Sequence, residues 1–176
     1  MTLVWILIGF VSGSIPWAAL GVRSISGKSV REVGDGNPGA TNAWKSSGWL
    51  VGMAVLILDI AKSFIPIYLA MILIDDFSGI NGTILLSLIA LAPILGHAWS
   101  PFLKFKGGKA LAPSWGSWMA LTNGIALPAG VILLGVLHAI QKNHAITVTG
   151  CLVGFLAIFQ LLWREDHIGI FWMMNF

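Results

Sequence analysis

Between Val33 and Asn42 the chain reads VGDGNPGATN, with Arg31 just before it and Lys45 just after. Glycines at this density permit positive φ and let successive backbone N–H groups converge into a nest that holds an anion. Arg31 adds a planar fork that can grip phosphate through two parallel hydrogen bonds, and Lys45 adds a point charge. Thr41 and Asn42 precede AWKSSGW, so the loop is expected to end in a helix N-terminus or a capping oxygen, which also favours phosphate. Taken alone, the loop reads equally well as a flexible connector.

A second stretch, GHAWSPFLKFKGGKAL from Gly96 to Leu111, sets Lys104, Lys106 and Lys109 around Gly107-Gly108 at the start of a helix. It too suits phosphate. It is not a nucleotide-binding Walker loop, because the first glycine of that pattern is absent and Ala110 stands where Ser or Thr would bind magnesium. Basic loops at a membrane surface are commonly topology signals drawn to acidic lipids. Two glycine-and-base loops on one face argue instead for two phosphates in one site.

Asp59 and Lys62, three apart in ILDIAKSF, lie inside an apolar run where ionisable residues are costly, and can pair on one helix face. A structural and a catalytic pair are equally open. Ser14, two residues before Pro16, and His97 are further candidates, each weak alone. No Ser-His-Asp order, HExxH zinc motif or His-x4-Asp acyltransferase motif can be read, since Asn143 lies five after His138. Cys151 is the single cysteine and sits in an apolar run, which excludes an internal disulfide and a cysteine-based metal site. No metal and no cofactor are expected. An enzyme built from these residues would work by holding activated substrates.

The elements that must position these residues follow from composition. Of 176 residues 57% are hydrophobic and 10% charged, and the mean hydropathy is +0.87, outside the range of soluble domains. The expected architecture is all-α: a polytopic membrane bundle in one domain, residues 1–176, without internal repeats. Spans are predicted at Leu3–Leu20, Leu50–Ile74, Gly82–Ala98, Leu111–Leu121, Ile125–Ile140 and Ile146–Trp163, with IGIFWMMNF as a partial seventh. The first apolar run reads as a permanent span rather than a cleaved signal. TNG, Thr122 to Gly124, predicts a tight turn, with Pro128 in the first turn of the next helix. Trp5, Trp49, Trp99, Trp163 and Trp172 suit an interfacial belt.

Loops rich in Lys and Arg alternate with loops that lack them, so the N-terminus is expected outside and both motif loops in the cytoplasm. The net charge of +3 reports this topology rather than nucleic-acid binding.

GSIPWAALG, REVGDGNPGATNAW, LDIAKS and GHAWSPFLKFKGGKAL, in this order and spacing, together resemble the bacterial acyl-phosphate-dependent glycerol-3-phosphate acyltransferases, the PlsY family. The resemblance implies a seven-helix enzyme of the bacterial cell membrane that moves a fatty acyl group from acyl phosphate to the 1-hydroxyl of glycerol 3-phosphate, giving lysophosphatidic acid. It implies catalytic roles for Ser14, Arg31, His97 and Lys109. It also implies glycerol-3-phosphate or phosphate binding by Gly36, Asn37, Thr41, Asn42 and Lys45, and acyl-phosphate binding by Lys106, Gly107 and Gly108. Asp59 and Lys62 fall in the LDIAKS segment as an intramembrane pair.

The chain departs from the family pattern in three places. GGKALAP stands for GGKGVAT, so Ala110 and Pro113 replace a glycine and a threonine. Only Thr147 lies near the serine of the loop after the fifth helix. The His-Arg-Glu-Asn run expected after the last helix has no counterpart, because WREDHIG precedes the final apolar stretch. Other readings therefore stay open: a truncated or divergent paralogue that needs a membrane-protein partner or a full-length relative, and a small phosphate or lipid transporter. The transporter fits less well, since transporters tend to show repeats and midplane sites.

Overall fold

Pro16 breaks the first apolar run in two. In the computed structural model, which describes residues 2–74, 77–140 and, beyond them, 146, 147, 149–151, 153, 154 and 157, helix α1 (Thr2–Ser14) stops before the proline and α2 (Trp17–Ser26) resumes after it. Proline has no N–H to continue the ladder and its ring clashes with the preceding turn. The span predicted to end at Leu20 instead runs to Ser26 as a bent segment, closed by Gly27 at φ 68.

Every regular element among the described residues is helical. After a 3₁₀ turn at Val30–Glu32 come α3 (Ala40–Ser47), α4 (Trp49–Leu73) and α5 (Gly79–Ala98). A second 3₁₀ turn at Pro101–Leu103 leads to α6 (Leu111–Leu121) and α7 (Ala126–Ile140). Among the described residues, three segments are long and apolar enough to cross a membrane: Leu3–Ser26, Trp49–Leu73 and Ile80–Leu103. Helix α6 has eleven residues, a length of about 17 Å against a hydrocarbon core of about 30 Å. The predicted span at Leu111–Leu121 is thus a helix too short to cross alone. The predicted Ile146–Trp163 and the partial seventh span lie largely outside the described residues.

Helix α4 shows how the bundle is read from sequence. Its buried residues are Gly52, Val55, Asp59, Lys62, Ser63, Pro66, Ile67 and Ala70, steps of three and four with two adjacent pairs, which make one inward stripe. Asp59 and Lys62 lie on that stripe, while Ile57, Ile65 and Ile72 face outward. Small residues then set the helix spacing, since lipid supplies no hydrophobic drive between helices. A side chain on Gly13 of α1 would run into the Pro93 backbone of α5, and one on Gly116 of α6 into the Ile60 carbonyl of α4.

The larger core, with Ile67, Ile89, Trp118 and Leu121 buried in it, ties α4, α5 and α6 together. A smaller one, Ala18, Val22, Val30, Ala43 and Val55, seats the first loop against α2, α3 and α4. Both glycine loops are thereby braced. The TNG turn forms as predicted, with Asn123 at φ 50 and Gly124 at φ 88, and Thr122 Oγ1 accepts from the Ala126 N–H at 3.0 Å.

Candidate active site

The first loop folds around one carboxylate. Asp35 Oδ1 accepts from the Asn37 N–H at 3.1 Å and from Asn42 Nδ2 at 2.8 Å, while Oδ2 receives Lys109 Nζ at 2.7 Å. The Lys109 ammonium, then the Asn37 N–H and the Asn42 amide, hold the Asp35 carboxyl well below the usual carboxylate range. Asn37 closes the circuit, because its Oδ1 accepts from the Lys109 N–H at 3.1 Å. Arg31 adds a second bridge, donating from Nη1 to the Gly36 carbonyl at 3.4 Å and from Nη2 to the Lys106 carbonyl.

The first loop ends in a helix N-terminus, as expected, but not in a capping oxygen. Thr41 and Asn42 do not cap α3: Gly39 is the N-cap, with no side-chain hydrogen bond, and both residues lie in the first turn. Asn42 is instead spent on Asp35 and on the Asn37 carbonyl. In the second loop the Gly107 and Gly108 N–H groups donate to the Ala98 and His97 carbonyls at 3.0 and 3.1 Å. These two N–H groups therefore do not open into an anion nest; they bind the loop to the C-terminal end of α5, whose last carbonyls need donors. Glycine is required there for close approach, since a Cβ on Gly108 would collide with His97 Nε2.

Between the loops and the helices lies a cleft of about 770 Å³. Asn37, Thr41, Asn42, Lys45 and Lys109 line its mouth together with Asp35; His97 and Asp59 reach it from α5 and α4. Leu56, Ile60, Leu111, Pro113, Trp115, Leu127, Val131 and Leu134 form an apolar wall. Of the sequence-predicted residues, Arg31, Gly36, Lys106 and Gly107 lie in the scaffold of the loops rather than on the cleft lining.

Ser14, Lys62 and Gly108 meet His97 in a small adjoining chamber of about 10 Å³. Ser14 is buried, its hydroxyl donating to the Phe10 carbonyl at 2.7 Å, while its own carbonyl accepts from Ser100 Oγ at 2.6 Å. Lys62 Nζ lies 2.8 Å from Asp59 Oδ1, 2.9 Å from the Ile15 carbonyl and 2.7 Å from His97 Nδ1. Asp59 and Lys62 do pair on one face of α4, and the pair extends to α5 and to the bend at Pro16. Thr147 is buried, away from the cleft lining.

Sequence reasoning missed Asp35, Ser100 and the apolar wall. The DGN spacing was the available signal for Asp35, because Asx side chains bond the backbone two residues on. Nothing local marks Ser100, whose partner is 86 positions away. No cluster of His, Cys, Asp or Glu suited to a metal ion occurs among the described residues.

A membrane protein whose described elements are all helical, with a cleft that is polar along the two loops and apolar along one wall, is the class these features define. Residues 3–176 match the family model described as glycerol-3-phosphate acyltransferase, and the chain belongs to that family, the PlsY family. It is 34% identical over 183 residues to glycerol-3-phosphate acyltransferase 1 of Thermotoga maritima, covering 97% of this chain and 88% of that protein. It is 35% identical over 158 residues to the glycerol-3-phosphate acyltransferase of an Anaeromyxobacter species, covering 89% and 76% respectively. Its fold resembles the crystal structure of PlsY (YgiH), an integral membrane glycerol 3-phosphate acyltransferase, in its glycerol 3-phosphate form. The TM-score is 0.83 at 24% identity, covering 98% of this chain and 83% of that one. The lysophosphatidic acid form gives a TM-score of 0.80.

Proposed function

We propose that this protein transfers a fatty acyl group from acyl phosphate to the 1-hydroxyl of glycerol 3-phosphate, releasing inorganic phosphate and lysophosphatidic acid. The observation that carries this reading is the two-natured cleft, whose mouth offers Lys45, Lys109 and the Asn37 and Asn42 amides while its wall is built from leucine, isoleucine, valine, proline and tryptophan. A phosphate and a fatty chain are the two ends of an acyl phosphate. Lys109 and Lys45 neutralise the phosphates, Arg31 and Lys106 hold the two loops together, and the apolar wall takes the chain.

Acyl phosphate is a mixed anhydride with a good leaving group, so positioning and charge stabilisation are the large terms. The attacking hydroxyl forms the new ester C–O bond, the carbonyl carbon's bond to the bridging phosphate oxygen breaks, and the hydroxyl proton passes to a phosphate oxygen. No covalent acyl-enzyme is required, and Ser14 acts by positioning from the chamber behind Gly108. The chain works as one domain in the bacterial cell membrane, with the N-terminus outside and the two loops cytoplasmic.

The test is reconstitution of the purified chain in liposomes with acyl phosphate and labelled glycerol 3-phosphate. Labelled lysophosphatidic acid is expected. Its absence, beside an active relative prepared in the same way, overturns the proposal; activity that returns only when a full-length relative is added favours the partner-dependent paralogue.

A further inference from the structure

We propose that Lys62 is a positioning residue that holds His97 in one neutral tautomer, with Nδ1 accepting and Nε2–H presented at the Gly108 wall as a donor for a substrate oxygen. This rests on the acyl-transfer reading for what the donor serves, but not for the tautomer itself.

Lys62 Nζ has three partners. The Ile15 carbonyl, the Asp59 carboxylate and His97 Nδ1 stand 2.9, 2.8 and 2.7 Å from it. An ammonium has three N–H groups, and a carbonyl and a carboxylate can only accept. With Lys62 charged, the last N–H goes to the imidazole, so Nδ1 carries the lone pair. Were the proton on Asp59 instead, its hydroxyl would donate to the Nζ lone pair, and the two remaining N–H groups would still go to the Ile15 carbonyl and to Nδ1.

An imidazolium would set a second cation 2.7 Å from the ammonium beside a single carboxylate. His97 is therefore neutral, with its proton on Nε2.

Nε2 packs against Gly108, where a Cβ would collide with it, and the ring's bond to Lys62 is made at the other nitrogen, Nδ1. His97 lines both the cleft and the chamber behind it. An Nε2–H at this wall can donate to a phosphoryl oxygen or to the developing acyl oxyanion; it cannot take a proton from the attacking hydroxyl. Lys62 reaches no substrate and acts through the imidazole. Its bond to the Ile15 carbonyl also ties the ring to the bend beside Ser14.

The decisive experiment is magnetic resonance of the unsubstituted protein carrying ¹³C,¹⁵N-histidine, with His97→Gln identifying the signal. His97 is expected to show a bare Nδ1 and a protonated Nε2 at neutral pH. A proton on Nδ1 overturns the proposal.

Binding of inorganic phosphate supplies a second measurement. The glutamine amide reaches the Nε2 position and the asparagine amide does not, so His97→Gln should bind within about threefold of the parent while His97→Asn loses at least about tenfold, one charge-assisted hydrogen bond. Equal loss in both overturns the donor role. Lys62→Met, in preparations whose helix content is unchanged, should give a mixture of tautomers; a single Nε2–H form in that variant would show that Lys62 is not what selects it. None of these measurements needs turnover, so failure of acyl transfer would leave the tautomer result standing.

Discussion

Arg31 Nη2 donates to the carbonyl of Lys106, a residue 75 positions further on, while Nη1 of the same guanidinium reaches the Gly36 carbonyl. One planar fork thus spans both loops, a geometry that a lysine point charge cannot copy. Hydrogen bonds from charged groups are worth about 1.5–3 kcal/mol each. Arg31→Ala is therefore expected to lower kcat/KM about 100-fold or more, and Arg31→Lys about tenfold. Lys28→Ala, an exposed change outside the matched motifs, should stay within about twofold. Steady-state kinetics in liposomes decides this, and equal losses in all three variants would mean that only bulk loop charge matters.

Lys109 is held by Asp35 at 2.7 Å, so a phosphate entering the mouth competes with a carboxylate for the same ammonium. Asp35→Asn keeps an acceptor for Asn37 and Asn42 and removes the charge. Inorganic phosphate should then bind about two- to fivefold tighter, the range of an exposed charge interaction. Weaker binding would mean that the charge of Asp35 chiefly orders the loop.

The pH dependence of the same contact has a definite sign. The folded carboxyl is held below its unfolded value of about 3.9. Its stabilisation is thus fully present above that value and is lost as pH falls through the folded pKa. The difference in melting midpoint between the parent and Asp35→Asn is expected to be flat from about pH 6 to 9 and to shrink below about pH 4. A change centred near neutrality would assign the contact to another group.

Much of this was legible in the residues because short-range rules apply. The inward stripe of α4 and the TNG turn follow from spacing and residue type, whereas the place of Asn37, Thr41, Asn42, His97 and Lys109 in one site was implied by the family resemblance. The break at Pro16, and the ten-residue helix beyond it, were not expected from a run read as one span to Leu20. The glycine pair was misread in one respect: its N–H groups meet the end of α5, a tertiary contact that composition cannot reveal. Asp35 was overlooked because a carboxylate in a basic loop normally reads as solvated.

Ala110 tests whether a departure from the family's glycine is costly. It sits at φ 58, ψ 16, just before α6, where a non-glycine residue costs about 1–2 kcal/mol. Ala110→Gly relieves that strain, but it removes a buried methyl worth about 0.8 kcal/mol and adds about 0.5–1 kcal/mol of unfolded-state entropy. The terms nearly cancel, so stability should change by less than about 1 kcal/mol. Ala43→Gly, fully buried within α3, relieves nothing and should cost about 1.5–2 kcal/mol. Denaturation in matched micelles compares them; equal losses would deny the strain at Ala110. Pro113 is tolerated for a related reason, since it falls in the first turn of α6, where its missing N–H would have no partner.

The apolar wall makes the last prediction. Leu127, Val131 and Leu134 follow one another at steps of four and three on α7 and line the cleft opposite residues of α4 and α6. If this wall holds the acyl chain, an indole at position 134 takes the space of its distal carbons. Each methylene denied burial costs about 0.8 kcal/mol, about fourfold in affinity. Leu134→Trp should therefore lower kcat/KM for long acyl phosphates about fifteenfold for every two methylenes displaced, while leaving short ones nearly unchanged. A series of acyl phosphates of increasing length reads this directly. A uniform loss at all lengths would point to damaged folding, and an unchanged profile would mean that the chain leaves the cleft before it reaches α7 and lies in the lipid.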